Sequence, residues 1–228
     1  MKAYQTIIFA LSLSWPIQAE PWKKVSSEAG VEVFTKKVEG SDLFAFKGIK
    51  TMDVPLSKVA FVLLNEDIEQ KKRWINGVHQ FKFITYTEQN QQKRGITYTS
   101  YKLPFPFSDR DYVIDNIISY DKEKNHLIVD MKSVNHKDYP KDASVGIRAL
   151  INHSRFVLEP TDQGQGTKVT VEIQGDLQGL VPDWLVNVIN RYWPRNTLNS
   201  LHAEAKKTTQ DDPFVMKHRD ETAVNVAH

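Results

Sequence analysis

The chain has 228 residues, 40% hydrophobic and 11% aromatic, which is enough apolar material for one sizeable core. Thirty Lys and Arg nearly balance 28 Asp and Glu, and no basic stripe offers a footprint for nucleic acid. With no cysteine, disulfides, thiol nucleophiles and thiolate metal sites are excluded.

At the N-terminus, Lys2 precedes an apolar stretch from Ile7 to Trp15, then Pro16 and Ile17-Gln18-Ala19. This is the pattern of a short export signal cleaved after Ala19. Residues 1–19 are therefore expected to be a signal peptide, and the mature protein periplasmic or secreted. The run is too short to span a bilayer comfortably.

Runs 31–35 and 43–49 alternate as two strands joined by the Glu39-Gly40-Ser41 turn. Leu56, Val59, Ala60, Leu63 and Leu64 then recur at helical spacing, and a second short helix is expected from Ile68 to Trp74. Six strands follow, over 81–88, 95–101, 111–120, 127–134, 147–159 and 168–176, several joined by short polar turns. The connection 135–144 is expected to be a mobile loop. After Gly179-Leu180-Val181-Pro182-Asp183 a long amphipathic helix is expected, with Leu185, Val188, Ile189, Tyr192, Leu198 and Leu201 on its apolar face. Pro194 falls inside it and should kink or split it. Residues 208–228 turn polar and aperiodic and are expected to be a disordered tail. The resulting class is α+β, an antiparallel sheet with helices on one side, and the space between sheet and long helix suits a small apolar ligand.

Between two of these strands sits Leu103-Pro104-Phe105-Pro106-Phe107, closed by Ser108-Asp109-Arg110-Asp111. Proline removes backbone donors, so this segment cannot belong to a central strand. Two readings stay open: Phe105 and Phe107 touch a ligand or bilayer, or they plug the core.

The ordered elements resemble the START domain, the helix-grip lipid-binding fold. Four segments carry the resemblance: Trp74 after two short helices, Ser108-Asp109-Arg110-Asp111-Tyr112-Val113, Gly146-Ile147-Arg148-Ala149, and Gly179-Leu180-Val181-Pro182-Asp183-Trp184-Leu185-Val186-Asn187. It covers roughly residues 22–207, so a START-like domain is expected over 20–207, of the exported bacterial type. The resemblance implies a curved antiparallel sheet wrapped around a long C-terminal helix, with an internal hydrophobic cavity for one lipid. The loop 103–109 and the helix after Pro182 would be the two jaws of its mouth. Steroid-binding members carry an acid and an arginine on adjacent strands of the cavity, and Thr97 and Asn116 stand at those positions. Phospholipid, fatty acyl and sterol-like ligands stay open, carried or sensed in transient contact with a membrane.

By strand alternation Thr97, Thr99 and Tyr101 share one face, as do Tyr112, Ile114, Asn116 and Ile118 on the next strand. If the family's facing holds, they line the cavity, with Met131 as a further contact after its core role. Arg110 and Arg148 are candidates for a lipid phosphate, and each is also a candidate for a structural ion pair. Trp184, Leu185 and Val188 complete the candidate ligand contacts, from the long helix. The histidines show no HxH or HExxH spacing, and no nucleophile elbow or phosphate-cradling loop is present. No cofactor, metal or catalytic residue is expected. The alternative is a cyclase- or hydratase-like enzyme on a hydrophobic substrate, which would need a titratable pair inside the cavity.

Overall fold

A computed structural model describes residues 21–89, 92–103, 105, 107–142 and 144–226. The expected signal at 1–19 lies outside them, as do Pro104 and Pro106. Strands β1 (Lys23–Glu28), β2 (Val31–Lys36) and β3 (Ala45–Met52) are followed by helices α1 (Leu56–Leu64) and α2 (Ile68–Trp74). Strands β4 (Val78–Gln89), β5 (Gln92–Tyr101), β6 (Arg110–Asp121) and β7 (His126–Ser133) form a meander. The short β8 (Ile147–Arg148) precedes β9 (Leu150–Thr161) and β10 (Gly166–Asp176), and the chain ends in helices α3 (Asp183–Ala205) and α4 (Pro213–Val226). One curved sheet runs in the order β1-β2-β3-β10-β9-β7-β6-β5-β4, antiparallel throughout, with β8 parallel to β6 at the side. This is the α+β, helix-grip architecture.

Alternation puts one apolar face of the sheet under the helices. Cross-strand register arranges that face in rows. Tyr120, Leu127, Leu158 and Val169 form one row, and Ile118, Val129, Phe156, Val171 and Gly48 form the next. A third row holds Asn116, Met131, Ser154, Ile173 and Phe46. The first two rows pack with α1 and the later turns of α3 into the main core.

Helix α3 runs unbroken through Pro194, which corrects the expected split. Pro194 is buried and meets the sheet at Gly48, where an added Cβ would lie 2.7 Å from the Pro194 Cβ. Only a glycine there lets the helix come this close. The inward residues of α3 are Val186, Asn190, Pro194, Leu198, Leu201 and Ala205. Val188, Ile189 and Tyr192, expected inward, are exposed instead. The reason is phase: a 3.6-residue period through Val186 and Asn190 turns them away.

Two further expectations change. The expected strand 147–159 breaks at Ala149, whose N–H donates to the Asp111 carbonyl at 3.0 Å. The break ends one alternation and starts another. Within the connection 135–144, Tyr139 packs on Tyr98 with ring centroids 4.9 Å apart, and its carbonyl accepts from Arg148. The expected tail carries α4, with Phe214, Val215 and His218 buried. Asp212 caps it by accepting from the Val215 N–H at 3.0 Å, and Pro213 opens the first turn. Its His218 ring stacks on Tyr120 with centroids 5.7 Å apart, sealing the row farthest from the 103–109 loop.

Candidate functional site

The inward face changes character towards the 103–109 end. There the pairs Thr97–Ile114 and Thr99–Tyr112 lie between Tyr101 and the Asn116 row. Thr97, Thr99 and Ile114 are buried, whereas Tyr112, Asn116, Ile118 and Met131 are only half-buried although they face the interior. A partly uncovered surface on the helix-covered side of a sheet is where a ligand can lie. The alternation of Thr97, Thr99, Tyr101, Tyr112 and Asn116 read from the sequence thus brings all five to one side, with Met131 beside them.

The polar groups here are neutral. Asn116 Nδ2 donates to the Gly95 carbonyl, the Ile114 carbonyl and Thr97 Oγ1, each at 3.0 Å. Thr97 and Asn116 are therefore direct partners, as the charged pair of the steroid binders would be. The Tyr101 and Tyr112 rings meet edge to face at 5.6 Å. Burial pushes the Tyr101 hydroxyl up to about 12 and drives that of Tyr112 upward as well. Both remain neutral donors at any physiological pH.

The two arginines are fixed by the protein itself. Arg110 is 2% exposed, and its guanidinium donates to backbone carbonyls on two segments. Nε bonds Leu177 at 2.6 Å and Nη2 bonds Gln178 at 3.2 Å, while Nη1 bonds Ser108 at 2.5 Å and Asp109 at 3.4 Å. Arg148 makes a two-pronged bond to Asp111, Nε–Oδ1 at 3.1 Å and Nη2–Oδ2 at 2.8 Å. Asp111 alternates with Tyr112, so this ion pair lies on the other face of the sheet. Arg148 thus has the structural ion pair that was its alternative to a phosphate, while Arg110 is held by carbonyls rather than by an acid. The break at Ala149 is why alternation left the side of Arg148 open.

Around the mouth, apolar side chains reach solvent. Phe105 is 97% exposed and Leu180 fully so, with Trp184 at 67% and Val188 at 43%. Phe107 is half-buried, so the loop divides its two phenylalanines between solvent and protein. Trp184 and Val188 lie on the outward side of α3 rather than against the sheet, with Leu185 half-buried near them. Two asparagines pin the start of α3 instead. Asn187 accepts from the Phe44 N–H at 2.9 Å, and Asn190 donates to the Gly175 carbonyl at 2.9 Å. Asn190 and Ser154 did not stand out in the sequence, and Asn187 and Leu180 entered only as members of the segment that opens α3. The Ser154-Phe156-Leu158 alternation was the available signal for Ser154.

A family model for the START domain matches residues 10–201. The chain belongs to the START domain family. An uncharacterized protein of Pseudomonas aeruginosa is 26% identical over 190 residues, covering 83% of this chain and 89% of its own. The phosphatidylcholine transfer protein of Mus musculus is 22% identical over 169 residues, 73% of this chain and 75% of that protein. Among solved structures, human STARD10 superposes with a TM-score of 0.71 at 22% identity, over 87% of this chain and 81% of that one. That likeness shows the START fold. The names of these relatives and neighbours include phosphatidylcholine transfer proteins and StAR-related lipid transfer proteins.

Proposed function

We propose that this START domain holds one lipid between the neutral, half-buried stretch of its sheet and α3, and exchanges it at a membrane surface. The carrying observation is the placement of exposed apolar groups on both jaws. Phe105 lies three residues before Ser108, and Leu180 lies two residues after Gln178. Arg110 bonds both anchors, so the two apolar tips are held at one mouth. An apolar tip on each side of an opening suits insertion into a headgroup layer, and an exposed Trp184 beside it suits the same interface. No described helix is long and apolar enough to cross a membrane. Residues 1–19 have the pattern of an export signal, which would put the exchange outside the cytoplasm. Phospholipid, fatty acyl and sterol-like ligands all fit this reading, whether the lipid is delivered or only sensed.

The test is lipid transfer between donor and acceptor vesicles by wild type and by the Phe105→Ser/Leu180→Ser variant. Both positions are exposed, so the variant should keep its melting temperature while vesicle binding and transfer fall at least tenfold. Unchanged transfer would overturn the proposal for the mouth. A sensor would show lipid uptake without transfer.

A further inference from the structure

Ser154 sits on the inward face of β9 and is 1% exposed, yet its Oγ has no hydrogen-bond partner among the described residues. A buried hydroxyl left unpaired costs stability, so one facing a ligand space is best explained by a ligand. Its place in the sheet says which kind. Register sets Asn116, Met131 and Ser154 side by side on consecutive strands, so Asn116 and Ser154 flank the Met131 thioether about 10 Å apart. Two carbonyls around Asn116 Nδ2 fix the amide's orientation and leave Oδ1 as the open group. The row therefore presents an acceptor on one side and a hydroxyl, both donor and acceptor, on the other.

Among the described residues, no buried cation is free to serve this row. Those of the inward side each end on backbone carbonyls: Arg110 as above, Lys50 on Ala29 at 3.1 Å and Lys71 on Leu63 at 2.8 Å. A phosphate or carboxylate here would lose its hydration, gain no counter-ion and face the Asn116 oxygen. A ligand hydroxyl would instead donate to Asn116 Oδ1 or bond Ser154. Building on the lipid-binding proposal, we infer that the interior recognises an uncharged, hydroxyl-bearing lipid group, and that Ser154 is its specificity-determining contact.

The experiment measures uptake of NBD-labelled diacylglycerol and NBD-labelled phosphatidic acid with identical acyl chains, which differ only in the charged group. Wild type should bind the diacylglycerol at least tenfold more tightly. Ser154→Ala should bind it five- to tenfold more weakly, with its affinity for phosphatidic acid unchanged. The ligand-free variant should melt no lower than wild type, because an unpaired hydroxyl has been removed. A purely structural serine would instead lower the melting temperature and leave the ratio of the two affinities unchanged, which overturns the inference. Equal binding of the two lipids by wild type overturns it as well, while leaving lipid binding intact. Uptake of neither lipid overturns the lipid-binding proposal together with this one.

Discussion

The Arg110 Nε donates to the Leu177 carbonyl at 2.6 Å, tying the first residue of β6 to the segment that leads into α3. The same guanidinium holds Ser108 and Asp109 on the near side and Gln178 on the far side. Both jaws of the mouth thus hang on one planar cation, and a lysine could not serve both at once. Arg110→Lys should lower stability by about 3 kcal/mol in urea unfolding and speed protease cleavage within 103–109. A variant with unchanged stability and cleavage would show that the jaws are held by other contacts.

Arg148 and Asp111 form a buried pair with side-chain exposures of 5% and 3%. Breaking it from one side strands a carboxylate in the interior of the outer face. Arg148→Met should cost about 3–5 kcal/mol, and the Arg148→Met/Asp111→Leu double variant should recover much of that. Lipid affinity should stay constant in the double variant, because the pair lies on the face away from Thr97 and Tyr112. Loss of binding there, with folding retained, would put Arg148 back among the ligand contacts.

Gly48 lets α3 approach β3 through Pro194, and an added Cβ would also lie 3.0 Å from Leu198. Gly48→Ala forces the helix outward against the packed core. A loss of about 1–3 kcal/mol is expected by thermal or urea unfolding, as for other overpacked cores. A stable alanine variant would mean that α3 shifts freely on the sheet.

Lys71 is buried between the Trp74 and Phe81 rings and bonds the last turn of α1 through Leu63, and burial lowers its ammonium to about 8. Below pH 8 the lysine is charged folded and unfolded, and the cost of burying the charge is fully present. Between pH 8 and the unfolded value of about 10.4, the unfolded chain binds more protons, so stability must rise with pH. Relative to Lys71→Met, wild type should gain on the order of 3 kcal/mol across that window and then level off. A flat difference curve from pH 7 to 11 would show that Lys71 is solvated.

Long alternating runs made most of this fold legible from sequence. Strands β4 to β7 show Val, Ile, Tyr and Thr at period two, and α1 shows its apolar stripe, so their place and inward side could be read directly. What failed had a local cause in each case. Strand β1, Lys-Lys-Val-Ser-Ser-Glu, is a polar edge with no alternation to detect. Helix α4 buries only a few residues, and its start is marked by Asp212-Pro213, a cap signal set in an otherwise aperiodic stretch. Within the site, the neutral wall followed from alternation, but the fate of Arg110 did not. Two of its partners are carbonyls 67 and 68 residues away, and a carbonyl carries no side-chain signature. Ser154 was hidden for the opposite reason: its distinction is a partner it lacks.

The central claim is that one lipid occupies the space between the Asn116–Ser154 row and α3. Native mass spectrometry of the protein, purified without detergent and then offered lipid vesicles, measures this directly. A single added mass corresponding to one lipid per chain, displaced by competing lipid, is the expected result. A chain that stays at its bare protein mass before and after exposure to vesicles would contradict the claim.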